Sequence, residues 1–257
     1  MELWAPEHIQ TLLPALGIMI LISVVFRLVL GNKSLKVRMI PIQVIACLLL
    51  LLEIGKQIVS WKQGYDLYHL PFHFCSLFLL VLPLMAFYRG KRRSAVNAIS
   101  AAVCTSLLLL MLIYPNLIYS GGNIQNFFKH YLDFHTVAFH NLVMLASFLV
   151  IALQLHDPQP KGEPKAILLF TAGFCTVSAS MAHILKTNYA NYYTCNIPPL
   201  EAIRVSLQDI LGYGVTQILY VLIVSLLNLG FVLMCYYLYK LLSKLVRGRK
   251  VQTVSTT

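Results

Sequence analysis

Apolar positions in this chain do not alternate with polar ones at the period of a strand or a half-buried helix. They run in seven long blocks, at about 8–30, 39–60, 70–88, 94–118, 135–155, 165–185 and 212–244, with short polar breaks between them. A helix rises 1.5 Å per residue, so about 20 apolar residues cross a hydrocarbon core, and each block is close to or above that length. The last block is longer, which predicts a tilted helix or one that continues into the cytoplasm. The pattern therefore predicts an all-α, polytopic bundle of seven transmembrane helices forming a single domain over 1–257. That leaves no room for a separate soluble domain. Breaks at 31–38, 61–69, 89–93 and 156–164 are short enough to join antiparallel neighbours. Two connections are longer. One follows Tyr114-Pro115-Asn116 and carries the turn signal Gly121-Gly122-Asn123. The other, 186–211, is rich in Asn and Tyr, contains Pro198-Pro199, and reads as a cap folded over one end of the bundle.

Composition sharpens this reading. The chain has 257 residues, of which 58% are hydrophobic and 11% charged, with a mean hydropathy of +0.74. Soluble domains carry roughly 25% charged residues, so the membrane class is indicated. The net charge of +11 does not point to nucleic acid, because the basic residues sit at span ends rather than in an aromatic-interleaved patch. They suit anionic headgroups. Fifteen of the twenty lysines and arginines fall in alternate breaks and after the last span, while Lys56, Lys62, Lys129, Lys186 and Arg204 lie on the other side. Cytoplasmic loops attract positive charge, which puts the N-terminus outside and the C-terminus in the cytoplasm. The acidic stretch from Met1 to Pro6 and the length of the first block argue against a cleaved signal peptide.

Candidate chemistry comes from polar residues inside the apolar blocks. Ionisable groups in a bilayer are costly and usually face a bundle interior or a wet cavity. Glu53 in the second block lies about 10 Å below the outer edge at 1.5 Å per residue. His73 and Cys75 open the third block, His140 follows the start of the fifth, and His183 precedes the end of the sixth. All four estimates converge on the outer third of the membrane. Pro71 suits the first position of a helix, which sets Cys75 near a helix N-terminus where dipole and free amides favour a thiolate. His140 can supply a base. His73, two residues from Cys75 and so about 200° away on a regular helix, shares its direction only where the helix start is irregular. Gln57, one turn from Glu53, can satisfy that carboxylate, or Lys56 can reach past it to the surface. His69, His130, His135 and His156 lie near block ends, where a wet surface is the default, and His183 reads as a packing residue. The six cysteines show neither a CxxC pair nor metal-ligand spacing, so neither a disulfide framework nor a metal or other cofactor is expected.

The segment Leu70-Pro71-Phe72-His73-Phe74-Cys75 resembles the Leu-Pro-Leu-His-Leu-Cys stretch of YwaF-type bacterial integral membrane proteins. Pro115, the approach Phe127-Phe128, His140-Asn141, Lys186-Thr187-Asn188-Tyr189, Cys195 and Pro198-Pro199 follow in the family's order. The likeness covers about residues 45–245. That family is related to a mammalian transmembrane acyltransferase that places polyunsaturated acyl chains on ether phospholipids, and is more distantly similar to androgen-regulated hydrolases that use Thr and His. The resemblance implies that Cys75 is a nucleophile and His140 its base, with His135 a competing match. Asn188 and Tyr189 match a recurrent motif and, with Glu53, are taken as substrate-binding. Asn141 and Lys186 depart from the family's small residue and Gly. The resemblance also implies a bacterial plasma membrane and a site on the extracytoplasmic side.

The resulting expectation is a membrane lipid acyltransferase or acyl hydrolase acting on phospholipid or lysophospholipid through Cys75, His140 and His73. The competing reading is a transporter or sensor binding protons or a small solute through Glu53 and the histidines. Receptor motifs, inverted repeats and paired haem-ligand spacing are lacking, which reduces the weight of those variants.

Overall fold

The computed structural model describes residues 6–115, 119, 121–158 and 161–248. It is a helical bundle: α1 (Pro6–Leu30), α2 (Leu35–Arg38), α3 (Ile40–Lys62), α4 (Phe78–Phe87), α5 (Arg93–Ile113), α6 (Gly121–Gln125), α7 (Tyr131–Ala152), α8 (Glu163–Ile184), α9 (Pro198–Leu211) and α10 (Tyr213–Gly248), with no strand among the described residues. Six of these helices are long and apolar enough to cross a membrane, and Phe74–Phe87 is a shorter apolar one.

That shorter element corrects the third predicted span. Helix does not begin at Pro71. Residues 70–73 are extended or bent, a 3-10 turn occupies Phe74–Leu77, and only then does α4 begin. The chain nevertheless crosses here, because α4 runs antiparallel to α3: Gln43 near the start of α3 donates to the Ala86 carbonyl near the end of α4 at 3.2 Å. The third pass is thus helical in one half and unwound in the other. Two further expectations change. Gly121-Gly122-Asn123 opens a short helix rather than a turn, and 186–211 is a 3-10 turn at Tyr189–Asn191 followed by α9. Pro198 and Pro199 fit the first turn of α9, where their missing N–H groups are not needed. Gly212, with φ +78, makes the sharp corner between α9 and α10 that a side chain would strain. Asn116 and the segment 117–118 of the fourth predicted span lie outside the described residues, as do Arg249 and Lys250.

α5 is the central helix. Its Ala98, Ser100, Ala101, Ala102 and Ser106 are all buried. Small residues let backbones approach where lipid offers no hydrophobic drive between helices. Ser100 donates to Val81 of α4 at 2.9 Å, and Ser147 of α7 donates to Cys104 of α5 at 2.9 Å. α3 meets α7 as closely at Gly55, where an added Cβ would strike the Tyr131 hydroxyl, itself bonded to the Leu52 carbonyl at 3.1 Å.

The basic segments gather at one end. Arg27 and Arg38 donate to the Ala152 and Leu153 carbonyls at the C-terminus of α7, both at 2.6 Å, and Arg247 pairs with Asp157 at 2.6 Å. Cations there complement the negative end of the helix dipole and satisfy carbonyls that have no helical partner. Beneath them lies a buried knot around Glu163. Its carboxylate accepts from Ser94 of α5 at 2.7 Å, from Tyr236 of α10 at 2.7 Å and from His156 at 3.2 Å. His156, expected at a wet surface, is only 4% exposed, and Tyr239 donates to its carbonyl at 2.8 Å. Tertiary closure, invisible from its place at a block end, buries it.

Two expectations follow. Glu163→Ala strands two buried donors, Tyr236 and His156, and should cost about 3 kcal/mol, the scale for breaking a buried pair, read as a lower thermal midpoint in lipid nanodiscs. Burial pushes the His156 imidazole below its ordinary 6.5, against the pull of Glu163 and Asp157 and with Arg247 adding to the fall. The unfolded chain therefore binds that proton more readily. This stability is complete above pH 6.5 and is lost as pH falls toward the lower folded value. Thermal midpoints should drop between pH 7.5 and 5.5, and His156→Gln should flatten that slope.

Candidate functional site

The opposite end of the bundle holds the residues singled out from sequence. Its foundation is the unwound stretch ahead of α4. Backbone carbonyls inside a bilayer must be paired internally, and in a non-helical segment side chains must do it. The Leu67 carbonyl accepts from the Tyr189 hydroxyl. The Tyr68 carbonyl accepts from His73 Nε2 at 3.0 Å, His69 from Gln57 Nε2 at 3.0 Å, and Phe72 from Ser178 Oγ at 2.8 Å. Donors from α3, α8 and the Tyr189 turn thus hold the approach to Cys75 from three directions. Asp66 caps the short 3-10 turn at 67–69 by accepting from the Tyr68 amide at 2.9 Å.

Cys75 is the second residue of the 3-10 turn that leads into α4, half-buried, with His73 at the turn's N-cap. Its own amide and the Ser76 side chain lie within hydrogen-bonding reach of its sulfur. The position near a helix start agrees with the sequence reading, although the start is three residues later than Pro71 suggested. His73 is oriented by the Tyr68 carbonyl and by two rings, Tyr68 at 4.4 Å and Tyr189 at 5.3 Å. The irregular start needed for His73 and Cys75 to cooperate is present.

Glu53 is fully partnered. Its Oε1 accepts from Lys56 Nζ at 2.7 Å and from Gln57 at 2.6 Å, while Oε2 lies 3.4 Å from His135 Nε2. Gln57 satisfies this carboxylate as the sequence suggested, and Lys56, expected to reach past it to the surface, pairs with it as well. His135, expected at a wet boundary, is 7% exposed and faces Glu53. Gln57 also accepts from Tyr65 at 2.6 Å, which links this group to the loop. His69 contacts Ser60 Oγ through Nδ1 at 2.5 Å, and burial lowers its imidazole's pKa even though Asp66 pulls the other way.

His140 is half-buried on α7, and its Nδ1 sits 2.6 Å from the Thr136 carbonyl. A carbonyl can only accept, so Nδ1 carries the proton and the Nε2 lone pair is left to act as a base. No hydrogen bond joins His140 to Cys75 among the described residues. Neighbouring Asn141 is spent internally, accepting from Tyr119 at 2.7 Å and donating to Val137 at 2.7 Å.

Three sequence-predicted residues stand apart from the Cys75 surroundings or serve them indirectly. His183 is bonded to the Ala179 carbonyl at 2.9 Å and lines a separate apolar groove of about 480 Å³ between α8 and α10, with Tyr213 and Gln217. Asn188 accepts from the Tyr193 and Thr194 amides at 3.2 Å and so shapes its own turn. Tyr189, expected to bind substrate, is completely buried with its hydroxyl on Leu67. Sequence reasoning missed Ser178 and Tyr65, and nothing in their local patterns marks them. No cluster of three His, Cys, Asp or Glu among the described residues could hold a metal ion.

Over this end folds the cap. Arg204 of α9 is 9% exposed and binds Glu201 Oε1 at 2.6 Å, Glu201 Oε2 at 2.8 Å and Gln217 Oε1 at 3.1 Å. The pairing lowers the Glu201 pKa and raises that of Arg204. Gln217 returns two donations to the Tyr192 and Tyr193 carbonyls. The outer faces of α9 present Leu200, Ile203, Leu207, Ile210 and Leu211, a stripe at helical spacing that suits an interfacial helix.

No curated protein and no solved structure matches this chain. A family model does, over residues 3–240, nearly the full length. With six membrane-length apolar helices, a seventh pass that is half unwound, and this match, the chain is an integral membrane protein that belongs to the TMEM164 family.

Proposed function

We propose that this protein transfers acyl chains between membrane lipids, with Cys75 as nucleophile and His140 as general base. Two observations support the proposal: a half-buried thiol in the irregular turn ahead of α4, and a histidine on α7 whose Nδ1 is held by a backbone carbonyl, leaving Nε2 for a proton. The resemblance of the Leu70–Cys75 and His140 segments to the acyltransferase-related family supports it further.

In the first step Cys75 Sγ attacks the ester carbonyl of a donor phospholipid, and its proton passes to His140 Nε2. The tetrahedral oxyanion can be met by amides at the start of the 3-10 turn, which precede any helical acceptor. Collapse breaks the ester C–O bond, the leaving alkoxide takes the proton from His140, and a lysophospholipid departs. The thioester on Cys75 is then attacked by the hydroxyl of an acceptor lysophospholipid, whose proton goes to His140 and returns to the sulfur. Water in place of the acceptor gives hydrolysis. Apo geometry need not join thiol and imidazole directly, since such contacts commonly tighten only with substrate present.

Glu53 works against the transport alternative. Its charge is already balanced by Lys56 and capped by Gln57, so it has no need of a solute cation or a proton. In the acyl-transfer reading this group is electrostatic scaffolding.

Cys75→Ser and His140→Ala should each reduce acyl transfer to labelled lysophospholipid by about 100-fold or more, the usual range for a lost nucleophile or base. Wild-type protein should carry a hydroxylamine-sensitive acyl thioester on Cys75, found by mass spectrometry. Full activity in Cys75→Ser would sink the proposal. Glu53→Gln should reduce the rate by less than either substitution; if it alone abolishes function while Cys75→Ser does not, the transport or sensor reading takes its place.

A further inference from the structure

The segment 186–191 is the most conformationally forced part of the chain. Lys186, Ala190 and Asn191 have φ of 51, 47 and 64, all in the left-handed region without being glycine. Such residues persist only where surroundings over-determine them, and they concentrate at clamps and active sites. Here the surroundings are visible. Tyr220 of α10 donates to the Asn191 carbonyl at 2.6 Å, Gln217 of α10 donates to Tyr192 at 3.1 Å, and Asn188 folds its side chain back on the Tyr193 and Thr194 amides. The turn is thereby fixed to α10, and one large side chain, Tyr189, projects from it into the bundle with none of its surface exposed.

Tyr189 meets the approach to Cys75 at three points. Its hydroxyl donates to the Leu67 carbonyl, and its ring packs edge-on against Phe72 and His73, both at 5.3 Å. His73 in turn holds the Tyr68 carbonyl and is two residues from the thiol. We infer that Tyr189 is a positioning residue for Cys75: it transmits the fixed turn on α10 to the unwound half of the third pass and so sets where the sulfur sits. Its complete burial and its engaged hydroxyl leave it nothing with which to grip a substrate. The inference rests on the acyl-transfer reading for its consequence, but the physical link does not.

The test uses full-length protein in phospholipid nanodiscs, comparing wild type with Tyr189→Phe, which removes only the hydroxyl, and Tyr220→Phe, which frees the Asn191 carbonyl at the other end of the chain of contacts. Amide hydrogen exchange followed by mass spectrometry reads residues 66–76 directly. Both variants should exchange there at least about tenfold faster, the factor that corresponds to 1.4 kcal/mol, with α5 and α8 unchanged. Single-turnover thioester formation on Cys75 with a fluorescent phospholipid donor should slow by a similar factor at unchanged half-saturating lipid. Unchanged exchange at 66–76 in both variants overturns the inference, even where acyl transfer itself is found. Exchange that rises equally across α5, α8 and α10 also overturns it, because that is general loosening. If wild type forms no thioester, acyl transfer falls, while faster exchange confined to 66–76 would still establish Tyr189 as the residue that holds this segment.

Discussion

From the 3-10 turn at Leu67–His69 through the irregular residues 70–73, the chain offers its own carbonyls few main-chain partners. Leaving a buried acceptor unpaired costs about 1–3 kcal/mol, and four of them would consume much of an ordinary protein's stability. The structure meets this with Tyr189, His73, Gln57 and Ser178, one donor for each of four carbonyls. Much of the far end depends on that constraint. It accounts for the place of Gln57 between a carboxylate and a backbone oxygen, and for the Tyr189 hydroxyl on the Leu67 carbonyl. A regular helix at 70–77 would need none of these, and it would carry Cys75 among helical amides already committed to carbonyls.

The two ends of the molecule divide the work. At the basic end, Arg27, Arg38 and the Glu163 knot tie α1, α2, α5, α7, α8 and α10 together through buried and partly buried polar groups. These contacts make a rigid base. At the far end the polar groups are equally numerous but not all spent: Cys75 and the second nitrogen of His140 remain available. Chemistry is better placed on positions whose supporting shell is fixed and whose reactive atoms are free. The exposed apolar stripe of α9 lies at this same end.

Beneath the cap, charge at this end is organised around the Glu53–Lys56 pair. Glu53 and Lys56, three residues apart on α3, neutralise each other at 2.7 Å, which lowers the cost of keeping either in the membrane. This gives Lys56 a part that the sequence did not suggest, since a lysine near a span end reads as one that reaches for the surface.

Block length and hydropathy alone settled the membrane class and the helical architecture, because a bilayer dictates those through two numbers, thickness and rise per residue. The spacing of basic residues likewise foretold that they would share one end. Polar residues inside apolar blocks marked Glu53, Cys75 and His140 as worth attention for the same reason: hydrocarbon penalises them wherever they point. What the linear pattern could not supply was direction and partnership. His135 and His156 look like boundary residues in sequence, and only the packing of α3 on α7 and the contacts of His156 with Glu163 and Tyr239 bury them. Ser178 and Tyr189 acquire their roles from carbonyls over a hundred residues away. The unwinding of the third pass is the clearest case: hydropathy counts residues but is blind to backbone conformation, so an apolar segment reads as a helix unless its hydrogen-bond partners, which lie elsewhere in the chain, allow it not to be one.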